Sequence, residues 1–357
     1  MAPILQPGLP VGALVALPAW SFRPETGQVV LLTFLHLLAF SLVTLHCLRN
    51  RREPTSTLLW IALSWAVPIL GPLLFLFFGI NRLPAKAWHF KQSSEKFLSH
   101  RKAREEQALP LAYWRAVHGS LAAEPTDPFA RQLNKAMDAI LPDYPLLAGN
   151  AIEPLVCGDE AYPRMLAAIR GARHHIHLQT FILANDPVGR DFLEALAERA
   201  REGIRVRLLY DRFGSTHAIL SGLLRRYGRI PNFTLQAWTQ ASFLKRQFPF
   251  HLRNHRKLLV VDGVEAFTGG VNIGQDNVHR INQPPIRDYH FAIRGPIVQE
   301  LQYAFLRDWY YMTDEDAERL LTEHHFPHIN PSGDSLVRVV SGGPSEADAI
   351  SDTFFLA

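Results

Sequence analysis

The chain has 357 residues, a formal net charge of +4 and two cysteines. That length allows one to three domains. Two cysteines exclude a disulfide framework, and the small basic excess fits an anionic lipid or a nucleic acid without choosing between them.

The first twenty residues lack a basic segment and contain Pro7, Pro10 and Pro18, which argues against a cleaved signal peptide. Residues 28–48 and 58–80 are two apolar runs without a formal charge, each long enough to cross a bilayer core of about 30 Å as a helix. The short basic link Arg49-Asn50-Arg51-Arg52-Glu53-Pro54 makes them a hairpin. Its orientation stays open, because Arg23, Arg82, Lys86 and Lys91 balance the three arginines of the link. Residues 82–150 read as a juxtamembrane connector, in which Trp88, Phe90, Phe97 and Trp114 pack or sit at the interface.

From residue 150 the pattern is α/β. Strands are predicted over 152–157, 175–183, 204–210, 233–237, 258–261 and 289–293. Helices are predicted over 160–171, 190–202, 216–227 and 296–312. Strands alternating with helices imply a layered α/β domain with crossover units. His174, His175 and His177 have no carboxylate or cysteine close in sequence, so they read as structural positions. No H-x-x-x-H, C-x-x-C or carboxylate cluster has metal-ligand spacing, so neither a metal nor a cofactor is expected.

Residues 255–272 carry the strongest signal: His255-Arg256-Lys257, four apolar residues, Asp262, six residues, then Gly269-Gly270-Val271-Asn272. The pattern is H-x-K-x4-D-x6-G-G-x-N. On a strand, His255 and Lys257 point to one side. Histidine serves as nucleophile or proton carrier near neutral pH. Lysine supplies a compact cation for phosphate oxygens, Asn272 a further hydrogen bond, and the glycine pair a close backbone approach. This set suits a phosphodiester, and the pattern occurs once.

The stretch Arg253-Asn254-His255-Arg256-Lys257 through Asp262-Gly263, with Phe267-Thr268-Gly269-Gly270-Val271-Asn272-Ile273-Gly274, resembles the phospholipase D superfamily, and within it the bacterial cardiolipin synthases. The apolar hairpin and the order of 178–183, Asp186, Gly189 and 205–211 are similar to the same family. The resemblance implies a phospholipase D-like layered α/β domain with a mixed sheet, preceded by a two-helix transmembrane hairpin.

By the same resemblance, His255 attacks phosphorus and a histidine from a second motif protonates the leaving alcohol. Lys257 and Asn272 hold phosphate oxygens, with Arg253, Arg256, Gly269 and Gly270 beside them. Asp288 orients His255, although Ile286 stands where family members often carry Trp. Asp262 completes the catalytic set, buttressing the strand and turn rather than touching substrate. The implied reaction transfers a phosphatidyl group between phospholipids, from a phosphatidylglycerol-like donor, at the bacterial inner membrane in a multi-pass protein. No nucleic acid is expected.

Residues 336–343 echo 152–159, and the helix that follows runs out at Phe354-Phe355-Leu356-Ala357, as if a second copy of the domain were cut short. The expected organisation is a tail (1–27), hairpin (28–81), connector (82–150), catalytic half (151–330) and truncated repeat (331–357). The second histidine would come from a homodimer partner or from a missing C-terminal half. The alternatives are a single-motif phosphodiesterase or nuclease active as a homodimer, and an inactive truncated copy.

Overall fold

A computed structural model describes residues 24–49, 54–79, 83–106, 125–140, 144–238, 254–281, 284–322 and 324–341. The chain divides into two compact units, residues 1–81 and 82–357.

In the first unit, α1 (Pro24–Arg49) contains a 23-residue apolar stretch, Gly27–Arg49, long enough to span a bilayer. The second apolar run is not a second such helix. It breaks into α2 (Pro54–Ala66), α3 (Leu70–Leu74) and a π-helical turn, Phe75–Gly79. The cause is Pro68, which lacks an N–H and disfavours a helical residue before it. Ile69 follows in the left-handed region at φ 64°. The chain folds back so closely that a Cβ on Gly71 would stand 2.4 Å from the Leu63 carbonyl oxygen. Of the two helices expected to be long and apolar enough to span, the described residues contain one. α1 and α2 still pack together: Phe40 meets Trp65 edge-on at 5.1 Å, and Val43, Cys47 and Phe75 are buried with Trp60 and Ile61 against them.

The second unit is a layered α/β domain. Its strands are β1 (Leu147–Val156), β2 (His175–Thr180), β3 (Arg205–Asp211), β4 (Phe233–Trp238), β5 (Leu258–Val261), β6 (Glu265–Gly269), β7 (Tyr289–Arg294) and β8 (Ser335–Val337). Among the described residues they form one sheet in the order β4-β3-β2-β5-β6-β7-β1-β8. The pairs β2–β3 and β3–β4 are parallel and the rest antiparallel, so the sheet is mixed.

Both faces are covered, which is why the strands read as continuous apolar runs. Leu259 and Val261 of β5 point into one core with α6 (Cys157–Gly171) and α7 (Pro187–Arg201). Leu258 and Val260 point into the other, with α10 (Val298–Thr313). α10 is buried on nearly every side, because α4 (Leu83–Glu106) packs over it. Phe97 of α4 stacks on Tyr303 at 5.4 Å and Tyr310 at 5.0 Å, and Arg101 pairs with buried Glu300 at 3.1 Å. Phe90 is buried in the same core. The remaining helices, α5 (Pro128–Ile140), α8 (Thr216–Leu220), α9 (Leu223–Tyr227) and α11 (Ala317–Leu320), are peripheral or short. The helix predicted over 216–227 is two pieces, divided where Gly222 takes φ 74°. Near the C-terminal end, β8 pairs with the start of β1, Val337 opposite Leu147. Residues 342–357 lie outside the described residues.

Candidate active site

Strand direction gathers the expected chemistry at one edge of the sheet. β2 and β3 end there, β5 begins there, β6 ends in Gly269, β7 begins with Tyr289, and β1 ends in Val156. Gly269 lies opposite His290 across β6 and β7, and Leu258 opposite Thr268 across β5 and β6. Lys257 is therefore one step along the same row, tied there by Thr268 Oγ1, which donates to the Lys257 carbonyl at 2.8 Å.

His255 is exposed, and its ring lies flat on Phe181, centroids 4.0 Å apart and planes 17° from parallel. Lys257 Nζ donates to the His255 carbonyl oxygen at 2.8 Å and stands 5.7 Å from the Phe181 ring centre. Partial burial lowers the lysine pKa, and the nearby Asp288 carboxylate opposes that shift. This is a cation held ready at the mouth of the edge and incompletely solvated, the condition in which a charge acts strongly on a phosphate.

Gly269 and Gly270 make room for what surrounds them. A Cβ on Gly269 would lie 2.4 Å from the Tyr289 carbonyl oxygen and 2.9 Å from His290 Nδ1. A Cβ on Gly270 would fall among the carboxylate atoms of Asp288. Asp288 Oδ1 also accepts from the Tyr289 N–H at 2.8 Å, and its carbonyl accepts from Cys157 N–H at 2.8 Å, which locks the residue to the start of α6. Asn272 Oδ1 accepts from the Ile182 N–H at 3.1 Å, a bond that leaves the amide NH2 as its donor. Its backbone carbonyl accepts from Tyr162 Oη at 2.7 Å.

Two expected residues stand elsewhere. Asp262 is at the other end of β5, roughly 23 Å from His255 at about 3.3 Å per residue. Its carboxylate accepts from the backbone N–H groups of Arg173, His174 and His175 at 2.8, 2.8 and 3.0 Å, so it braces the entry of β2. Arg256, expected beside phosphate, turns to the α10 face, where it bonds Asp308 and Ser341 Oγ. Asp308 is buried and also accepts from Gln179 at 2.9 Å and Asn254 at 2.8 Å. Burial pushes its pKa up, and the neighbouring Arg256 and Arg307 more than offset that, leaving it lowered. Arg253 lies outside the described residues.

Sequence reasoning passed over His290. It is 1% exposed, and neither ring nitrogen has a hydrogen-bond partner. Burial lowers its pKa to about 4, with Asp288 opposing and Lys257 adding to the shift. It lies beside Gly269, so Lys257 and His290 flank a position without a side chain. The signal was present in Asp288-Tyr289-His290: strand alternation puts His290, like Ala292, on the face of Lys257 and Leu259.

On the α10 face, His175 and His177 form a separate buried cluster with His325, Arg207 and Gln302. Ring centroids are 4.6 Å apart between His175 and His177, and 4.8 and 5.1 Å from these to His325. Arg207 NH2 donates to Glu315 at 2.6 Å and its NH1 lies 3.1 Å from His177 Nε2. Gln302 Nε2 is 2.6 Å from His177 Nδ1. Among the described residues, no group of three metal-ligating side chains could hold an ion.

Residues 165–309 match the family model described as cardiolipin synthase, PLD-like domain, and residues 37–79 match the phospholipase D-nuclease N-terminal model. The cardiolipin synthase of Geobacillus kaustophilus is 33% identical over 86% of this chain. Cardiolipin synthase A of Pseudomonas fluorescens is 30% identical over 90% of it. The chain spans 58% and 66% of the lengths of these two relatives. Among solved structures, phosphatidylserine synthase of Haemophilus influenzae is 17% identical, with a TM-score of 0.43 over 63% of this chain and 57% of that one.

Proposed function

We propose that this chain, a cardiolipin synthase-like member of the phospholipase D superfamily, transfers a phosphatidyl group from one phospholipid to the hydroxyl of another through a phosphohistidine at His255. The observation that carries the reading is the row of residues at one sheet edge: His255 exposed on Phe181, Lys257 half-buried beneath it, and Asp288 seated in the gap left by Gly270.

The His255 imidazole attacks phosphorus, and the bond to the leaving glycerol oxygen breaks as that oxygen takes a proton. The hydroxyl of the second lipid then attacks the phosphohistidine, releasing His255 and losing its proton to the group that donated the first one. Lys257 and the Asn272 amide hold the nonbridging oxygens as charge gathers on them, with Arg253 a further cation beside the motif. Asp288 accepts the proton on the far ring nitrogen of His255 and keeps the other nitrogen free to attack. The proton donor is a second copy of the motif, brought by a partner copy of the chain or by further polypeptide. The apolar stretch Gly27–Arg49 holds the protein at the bacterial membrane, where its phosphatidylglycerol-like substrate resides.

The test is the full chain in phosphatidylglycerol vesicles, followed for cardiolipin, free glycerol and an acid-labile phosphoenzyme. His255→Ala should lose all three. Cardiolipin formation by the His255→Ala protein would remove the role given to that residue, and cleavage of DNA without lipid turnover would replace the reading by a nuclease.

A further inference from the structure

The edge that carries His255 is rimmed by large apolar side chains facing solvent. Phe213 is 54% exposed, Ile281 94% and Ile286 60%, and Tyr289 is also exposed. They come from two loops on either side of the reactive histidine. Phe213 sits in the turn after β3, and the others in the segment from Asn272 to β7.

Both loops are built to hold them out. Asp211 Oδ1 accepts from the N–H groups of Phe213 and Gly214 at 2.8 and 3.1 Å, and Ser215 Oγ donates to the Phe181 carbonyl at 3.3 Å. A Cβ on Gly214 would stand 2.3 Å from that same carbonyl, so the Phe213 turn is pressed against the residue on which His255 stacks. On the other side, the Ile286 N–H donates to the Asp276 carbonyl at 2.8 Å, and Asn277 Nδ2 donates to the Ile286 carbonyl at 3.2 Å. Backbone this well bonded would not need to expose isoleucine and phenylalanine for its own stability, and apolar side chains clustered at a site mark a contact surface. Exposed arginines alternate with them: Arg212 precedes Phe213 and Arg287 follows Ile286. Apolar residues interleaved with arginine complement a surface that is anionic outside and apolar beneath.

We propose that this apolar and basic rim docks the catalytic edge onto an anionic lipid surface, seating Phe213, Ile281 and Ile286 below the headgroups so that a lipid phosphate meets His255 at headgroup depth. The inference rests on the lipid-substrate reading above and adds the surface and the depth. Val264, in the β5–β6 turn at the opposite sheet edge, is 43% exposed and serves as the internal control.

The experiment uses the full chain in vesicles carrying doxyl-labelled lipid. An environment-sensitive thiol probe is placed in turn at Phe213→Cys, Ile281→Cys, Ile286→Cys and Val264→Cys, while the native Cys47 and Cys157 are buried. Acyl-chain quenchers should reduce emission at least twofold at the three rim positions and leave the Val264 position unchanged. Replacing phosphatidylglycerol by phosphatidylcholine, or Arg287 by Glu, should weaken the rim signal. Equal quenching at all four sites, or none at the rim, overturns the proposal. Disulfide cross-linking between copies at Ile286→Cys without quenching overturns it in favour of a second chain as the occupant. Because quenching is read without turnover, loss of docking with cardiolipin synthesis intact would sink this inference alone, and docking without synthesis would sink the activity alone.

Discussion

The carboxylate of Asp288 fills the space that a side chain on Gly270 would require, with Oδ1 2.0 Å from where that Cβ would stand. The glycine is thus the seat of the acid, and the two cannot be altered independently. Gly270→Ala should expel the carboxylate and lower turnover about a hundredfold or more, the scale of losing a positioned proton acceptor. Asp288→Asn should give a similar loss while preserving the fold. Turnover in phosphatidylglycerol vesicles, with circular dichroism as the fold control, checks both. A Gly270→Ala protein with unchanged kcat would separate Asp288 from the chemistry.

Lys257 carries a partly buried cation whose pKa burial has lowered. A lysine with a depressed folded pKa costs stability at neutral pH, since the unfolded chain holds that proton more tightly. Lys257→Met should therefore leave Tm unchanged or raised while reducing kcat about a hundredfold. A thermal scan beside the lipid assay separates these effects, and a fall in Tm matching the fall in rate would point to a structural lysine.

Asp262 should behave in the opposite way. Its carboxylate accepts three backbone N–H groups far from His255, so Asp262→Ala should destabilise the domain by about 2–3 kcal/mol. The protein that remains folded should keep its kcat. Urea unfolding and active-site-normalised turnover measure the two arms.

The histidine cluster under α10 makes the domain sensitive to acid. Burial holds His175 and His177 well below the usual histidine range and lowers His325 to about 4. The unfolded chain binds these protons near pH 6.5, so their stability contribution is intact above that pH and declines as pH falls toward about 4. His325 alone accounts for about 3 kcal/mol across that window, at about 1.4 kcal/mol per pK unit. Urea midpoints at pH 7 and pH 4.5 should differ accordingly, and His325→Gln should shrink the difference. A midpoint independent of pH would mean that the cluster is not held neutral.

The fold was legible where local pattern and long-range packing agree. Leu258–Val261 is an apolar run bounded by charges, and it is a strand covered on both faces. Strand periodicity also placed His175 and His177 on one face, but their partners Arg207 and His325 come from elements 30 to 150 residues away, which no local pattern encodes. The second apolar run was long enough to span a bilayer, and composition does not register that Pro68 divides it. Arg256 was expected at the phosphate only through the family resemblance. Alternation sends it to the other face, where Asp308 takes it.

The position of Asp262 gives the four-residue gap in H-x-K-x4-D a mechanical meaning: it is the length of β5. The aspartate bolts one end of that strand to the entry of β2, and Lys257 emerges at the other end, so the gap works as a ruler that fixes the lysine's reach. Adding or removing one residue would leave the bolt in place and rotate Lys257 to the α10 face, out of reach of the glycine turn. A pattern that reads as a set of reactive groups is equally a specification of strand register.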